Sequence, residues 1–156
     1  MTRQMSKQMN RQAGHNMQIM LIDRDKHVRD SLRLFFKGEL AHFLIFKSAL
    51  EGLNALKYQK IDIVIVDYFL PDMNGLELLK QIRKDYPDTL RVLMATIVSD
   101  DLEFEIQQAD IDHFIEKPIT IATLDSVLLK LGRERQHHGH QTNIGITNQT
   151  AGTNNE

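Results

Sequence analysis

Four chemically capable side chains close four apolar runs: Asp23 after MQIMLI, Asp67 after IDIVIV, Thr96 after RVLMA and Lys117 after HFIE. In an open α/β sheet the reactive site lies beyond the carboxyl ends of the strands, so these four residues meet at one edge if the runs are parallel strands. Each has a structural account of its own. A strand-end Asp caps the next helix, Thr favours strands, and a Lys before Pro118 suits ordinary surface. Together they form a chemical unit. A carboxylate is a phosphoryl-accepting nucleophile, and an acidic pair around Asp67 holds Mg2+, which takes oxygen ligands in octahedral geometry. An ammonium and a hydroxyl bind the oxygens of the transferred group and offset its charge. The ordinary carboxylate pKa keeps Asp67 ionised at neutral pH, and Lys117 nearby favours the charged form further.

The elements needed to position them are legible. Ile61, Ile63, Val64, Ile65 and Val66 form a dense, largely β-branched run that stops at Asp67, as expected of a parallel strand buried on both faces. Pro71, Asp72, Asn74 and Gly75 make a turn, after which Leu76, Leu79 and Ile82 resume at helical spacing. A first strand passes through Ile19, Leu21 and Ile22, and Val28, Leu32 and Phe35 mark a helix closed by Gly38. HFLIF is a second strand, and Ser48 to Tyr58 a helix that tolerates Gly52 at some cost. Pro87 ends the third helix behind Tyr86, and RVLMATIV is the fourth strand. Asp101 to Gln108 is a short helix, HFIEK the fifth strand, and Ile121, Leu124, Leu128 and Leu131 a final helix. Five strands alternating with five helices predict a doubly wound, five-stranded parallel sheet, a flavodoxin-like three-layer αβα sandwich with right-handed crossovers. Periodicity does not fix the strand order; 2-1-3-4-5 is the order of flavodoxin-like folds.

At 156 residues the chain suits a single domain, from 17 to 132, with its own core. Residues 1–16 are polar and weakly basic, and read as a flexible segment or a partner-binding arm. Residues 133–156, poor in large apolar groups, read as a disordered polar tail. His137, His138 and His140 there are a weak metal motif, and NQT at 148–150 matches a glycosylation pattern that nothing else supports. A formal charge of −2 gives no general affinity for nucleic acid. The absence of Cys excludes disulfides and thiolate chemistry. No apolar run is of membrane length, so no membrane insertion is expected and a cytoplasmic location is the default. DRDKH, after the first strand, contains no glycine and is neither a dinucleotide fingerprint nor a P-loop. An FMN-binding carrier stays open by fold analogy, though its phosphate turn is missing.

With MLIDRD, DIVIVDYFLPDMNGLELL, VLMAT and HFIEKPI at their intervals, the stretch from Met17 to Leu131 resembles the receiver domain of two-component response regulators. The resemblance implies that Asp67 is the phosphoacceptor, Asp23 an acidic-pocket residue, Thr96 the switch hydroxyl, Lys117 the strand-five lysine and Phe114 the switch aromatic. It implies Mg2+ held by Asp23, Asp67 and Phe69. Phosphoryl groups would come from a sensor histidine kinase or phosphotransfer protein, and the output would be contact with a downstream protein, since no output module is legible. The chain would act as a relay rather than an enzyme. That contact would use the face of the fourth helix, fifth strand and fifth helix, where Phe104 and Ile119 are candidate apolar contacts, also for a homodimer. Two departures stand out. Arg24 occupies the position of the second acid, where a guanidinium cannot ligate a cation and repels it; Mg2+ binding is expected to be weak. Arg24 has two other uses, an ion pair with Asp67 or contact with the phosphoryl group, and Asp25 partly substitutes if the loop turns inward. Ile97 stands where the family prefers a small residue, and its branched side chain narrows access to Asp67. The alternative function is a receiver-like interaction module with weak or no phosphorylation.

Overall fold

A computed structural model describes residues 17–37 and 42–141. Five strands, β1 (Ile19–Ile22), β2 (Phe43–Phe46), β3 (Ile63–Asp67), β4 (Leu90–Ala95) and β5 (His113–Glu116), alternate with α1 (Lys26–Phe35), α2 (Ala49–Leu56), α3 (Gly75–Asp85), α4 (Asp100–Gln108) and α5 (Ile121–Gln141). The sheet order is β2-β1-β3-β4-β5, and every pairing is parallel. This is the flavodoxin-like order.

The two-residue period of the strands sends alternate side chains to opposite faces, and both faces are apolar. Met20, Ile22, Val64, Val66, Leu93 and Ala95 pack with Leu56 of α2, Leu76, Leu79 and Ile82 of α3, and Leu102 and Ile106 of α4. Ile19, Leu21, Ile63, Ile65, Val92, Met94 and Ile115 pack with Leu32 of α1 and Leu124, Val127, Leu128 and Leu131 of α5. All five residues of β3 are buried, as its unbroken apolar run requires.

Local chemistry starts each helix next to the sheet edge. Asp25, Ser48, Asn74 and Ser99 cap α1 to α4 by accepting from the amides of His27, Glu51, Leu76 and Leu102. In α5, Thr120 Oγ1 accepts from the amide of Thr123. α3 ends at Asp85, ahead of Pro87, as predicted.

Boundaries differ at two places: β4 stops at Ala95, short of the expected RVLMATIV run, and the last helix runs on. The expected polar tail begins at 133, but α5 continues to Gln141. A tertiary contact is the reason: the Arg135 guanidinium donates to the Asp62 carbonyl at 3.0 Å and pairs with its carboxylate at 3.0 Å. Residues 1–16, Gly38, the NQT pattern and the rest of the tail lie outside the described residues, as do the side chains of His138 and His140. Among the described residues no helix is long and apolar enough to cross a membrane.

Candidate functional site

The carboxyl ends of β1, β3 and β5 bring Asp23, Asp67 and Lys117 together. Lys117 Nζ lies 2.9 Å from Asp23 Oδ2 and 3.1 Å from Asp67 Oδ2, so one ammonium bridges two carboxylates. Asp23 is 0% exposed and Asp67 4%. The other oxygen of Asp23 accepts from the amide of Asp25 at 2.8 Å, which turns the chain out of β1. The Phe69 amide donates to the Asp67 carboxylate.

Burial is the largest influence on Asp67 and raises its pKa; the negative charge of Asp23 acts in the same direction, while Lys117 and the Phe69 amide act against it. The net shift is upward. Lys117 does favour the charged form, as expected, but desolvation of a nearly buried carboxylate together with the Asp23 charge outweighs that one cation. For Lys117 burial acts to lower the pKa, but the hydrogen bond and charge of Asp23, with the charge of Asp67, reverse it and raise the ammonium above its ordinary value.

The loop after β3 is held shut. Tyr68 continues the sheet by donating to the Met94 carbonyl at 2.8 Å, and its own carbonyl accepts from Gly75 at 2.7 Å. Phe69 bridges to Asn74. A Cβ on Gly75 would stand 2.3 Å from the Asp67 carbonyl oxygen, so only glycine lets α3 begin this close to the phosphoacceptor candidate. Asp72 reaches away, accepting from the amides of Ala49 and Leu50 at 3.0 and 2.8 Å and tying the loop to α2.

Thr96 is exposed just past β4. With Lys117, Asp25, His27 and Ile119 it lines a cleft of about 660 Å³ between α1 and the β5–α5 connection. Phe114 is half-buried and packs against the apolar cluster that contains Leu102 and Ile106 of α4, and Ile97 packs on the same cluster. Phe104 is exposed on α4, while Ile119 is half-buried against the opposite cluster.

Two of the alternatives for the departing acid are decided. Arg24 does not pair with Asp67: its guanidinium lies over the exposed Phe69 ring, 5.6 Å from the centroid, and Lys117 holds the ion pair instead. Asp25 does not stand in as a third acid, because its carboxylate caps α1 at the amide of His27. The acidic residues therefore pair with lysine rather than forming an intact Mg2+ cluster. Among the described residues no group of three or more metal-ligating side chains occurs. Two carboxylates already sharing an ammonium, with an arginine beside them, do not fit a strongly held divalent cation.

Arg29 carries a role that the sequence does not mark. Its guanidinium donates to the carbonyls of Asp23 and Arg24 at 2.9 and 2.8 Å, fixing the backbone from which Arg24 projects. No local pattern marks it, since an arginine on a polar helix face is ordinary. The Tyr68 hydroxyl, equally unmarked, donates to Glu105 at 3.3 Å and links the end of β3 to α4.

Comparison with known proteins gives the same picture. Residues 19–129 match the family model described as the response regulator receiver domain. The chain is 34% identical over 121 residues to Chemotaxis protein CheY-3 of Vibrio cholerae, covering 74% of this chain and 92% of that protein. It is 29% identical over 119 residues to Transcriptional regulatory protein GlnL of Bacillus subtilis, covering 74% of this chain and 37% of GlnL. The chain spans about half or less of the length of the first transcriptional regulators it matches. Among solved structures, a CheY-like response regulator receiver domain protein of Methanospirillum hungatei superposes with a TM-score of 0.70 at 25% identity, over 79% of this chain and 98% of that one.

Proposed function

The chain belongs to the response regulator receiver domain family, a family of signalling elements rather than enzymes, and from that premise we propose that it relays a phosphorylation signal through Asp67. The observation that carries the reading is the Lys117 ammonium bridging the Asp23 and Asp67 carboxylates at the carboxyl edge of the sheet. An Asp67 oxygen attacks the phosphorus of a phosphohistidine on a sensor kinase or phosphotransfer protein. The P–N bond breaks, its electron pair returns to the imidazole, and an acyl phosphate forms on Asp67. Lys117 binds the phosphoryl oxygens, and the exposed hydroxyl of Thr96 turns inward to them. Phe114 follows into the space Thr96 leaves, so charge at Asp67 becomes a change of packing along α4, β5 and α5, the surface that meets the downstream protein. Mg2+ binds weakly, because Arg24 stands where a third acid would be.

The test is intact mass after incubation with a small acyl phosphate, read together with amide chemical shifts. The expected result is one added phosphoryl group, absent from Asp67→Ala, with shifts that extend from Asp67 to α4 and β5. Labelling that survives Asp67→Ala rejects this nucleophile, and shifts confined to the neighbours of Asp67 reject the coupled switch. A second reading, an interaction module without phosphoryl chemistry, is favoured by the incomplete acidic cluster; a parent protein that never labels, even with its kinase, supports it.

A further inference from the structure

The family's divalent cation and this chain's residues disagree, and the disagreement points to what replaces it. We propose that Arg24 is the pocket's built-in counter-charge, taking the place of the metal, so that phosphoryl acceptance on Asp67 depends on Arg24 and not on Mg2+. The inference rests on the reading of Asp67 as the phosphoacceptor.

Charge is the first argument. Three acids and one lysine leave two uncompensated negative charges, which call for a divalent cation. Here Asp23, Asp67, Lys117 and Arg24 carry two negative and two positive charges, and the group is balanced by the protein alone. Position is the second. Arg24 follows Asp23 directly, and Arg29 pins the carbonyls of both residues, so the guanidinium is tethered at the mouth of the pocket. Its resting contact is the ring of Phe69, the residue whose amide holds the Asp67 carboxylate. An exposed cation–π contact is weak, while a guanidinium presents paired donors that match phosphoryl oxygens. Arg24 therefore leaves Phe69 when a phosphoryl group arrives and binds it beside Lys117. Availability is the third argument: Lys117 is already committed to two carboxylates, and Asp25 to the cap of α1, whereas Arg24 is a cation with only a weak contact to give up.

The experiment uses the full chain with acetyl phosphate. An Asp67 oxygen bonds to phosphorus as the P–O bond to the acetyl group breaks, the electron pair leaving as acetate with no proton transferred. Labelling is followed by intact mass in EDTA and in Mg2+ for the parent, Arg24→Lys, Arg24→Ala, Arg24→Asp and Asp67→Ala. The parent is expected to label in EDTA within about twofold of its rate in Mg2+, and Arg24→Ala to lose roughly a hundredfold or more in EDTA, the order of effect seen when one transition-state donor is removed. Arg24→Lys falls between them. Arg24→Asp labels only with Mg2+. A parent that needs Mg2+, or an Arg24→Ala protein that labels as fast as the parent in EDTA, overturns the inference while leaving Asp67 as the acceptor. Labelling of Asp67→Ala overturns the acceptor assignment instead. A separate readout needs no chemistry: Mg2+ titration followed at the amides of 67–69. Those amides move in Arg24→Asp and much less in the parent if Arg24 replaces the cation; equal movement in both overturns the inference even if no protein labels.

Discussion

Lys117→Met leaves two buried carboxylates facing each other with the cation that contacts both of them removed. Removing one partner of a buried ion pair costs about 3–5 kcal/mol, because the remaining charge is stranded. Here the lost ammonium serves two oxygens, at 2.9 and 3.1 Å. The Lys117 side chain is 19% exposed, so water reaches the gap and relieves part of the penalty. The low end, about 3 kcal/mol at neutral pH, is the expected loss, roughly 10 °C in Tm for a domain of this size. The pH dependence follows from the shifts. The Asp67 carboxyl already lies above its ordinary 3.8, through burial and then Asp23. A carboxyl raised in the fold leaves stability intact below the unfolded pKa and erodes it as pH rises through the folded value. Without Lys117 that value rises further, so the deficit of the variant opens across this window and closes again on acidification. The ammonium has the same sign, displaced to alkaline pH. Its folded pKa is raised above 10.5, so the parent loses the same stability only as pH climbs through that raised value. Urea unfolding at several pH values measures both limbs. Asp67→Asn in the Lys117→Met background removes one stranded charge and should recover about half of the loss, or about 1.5 kcal/mol. A neutral-pH deficit under about 1 kcal/mol, or one that grows on acidification, refutes the assignment of Lys117 as the electrostatic keystone of this edge.

Two further substitutions probe the loop that presents Asp67. Gly75→Ala puts a methyl 2.3 Å from the Asp67 carbonyl oxygen and 2.9 Å from Tyr68 Cα. The backbone must yield, with an expected loss of about 2–3 kcal/mol in a urea melt and slower phosphoryl labelling; parent-like values for both would show that the loop accommodates the methyl. Asp72→Ala removes the acceptor for the amides of Ala49 and Leu50 and should cost about 1 kcal/mol at neutral pH. Burial acts to raise the Asp72 carboxyl, but those two amides, with those of Asp72 itself and Met73, together outweigh it and hold it below 3.8. A depressed carboxyl gives its stability above the unfolded pKa and loses it as pH falls through the folded one, so the parent and Asp72→Ala should converge in acid. Unfolding midpoints that stay apart there would assign the effect to something other than this carboxylate.

Much of this protein follows from local rules written along the chain. Apolar runs of strand length ending at Asp23, Asp67, Thr96 and Lys117, separated by helix-period segments and stopped by Pro87, are enough to predict five parallel strands and the edge at which chemistry gathers, because burial on both faces and short crossovers leave few other arrangements. The identity of the pocket was legible in the same way, as a set of residue types at strand ends. Its internal pairing was not. Asp23 and Lys117 stand 94 residues apart, and only the fold decides that this ammonium, rather than the adjacent Arg24, takes the carboxylates. Sequence places Arg24 next to Asp23; tertiary structure turns it onto Phe69, because Arg29 fixes the backbone and the occupied pocket leaves the exposed ring as its partner. The reach of α5 past 133 depends likewise on the distant Asp62, which no polar-tail composition announces. The protonation energetics of Asp67 belong to the fold as well, since desolvation is a property of everything packed around a carboxylate and has no signature in the residues beside it.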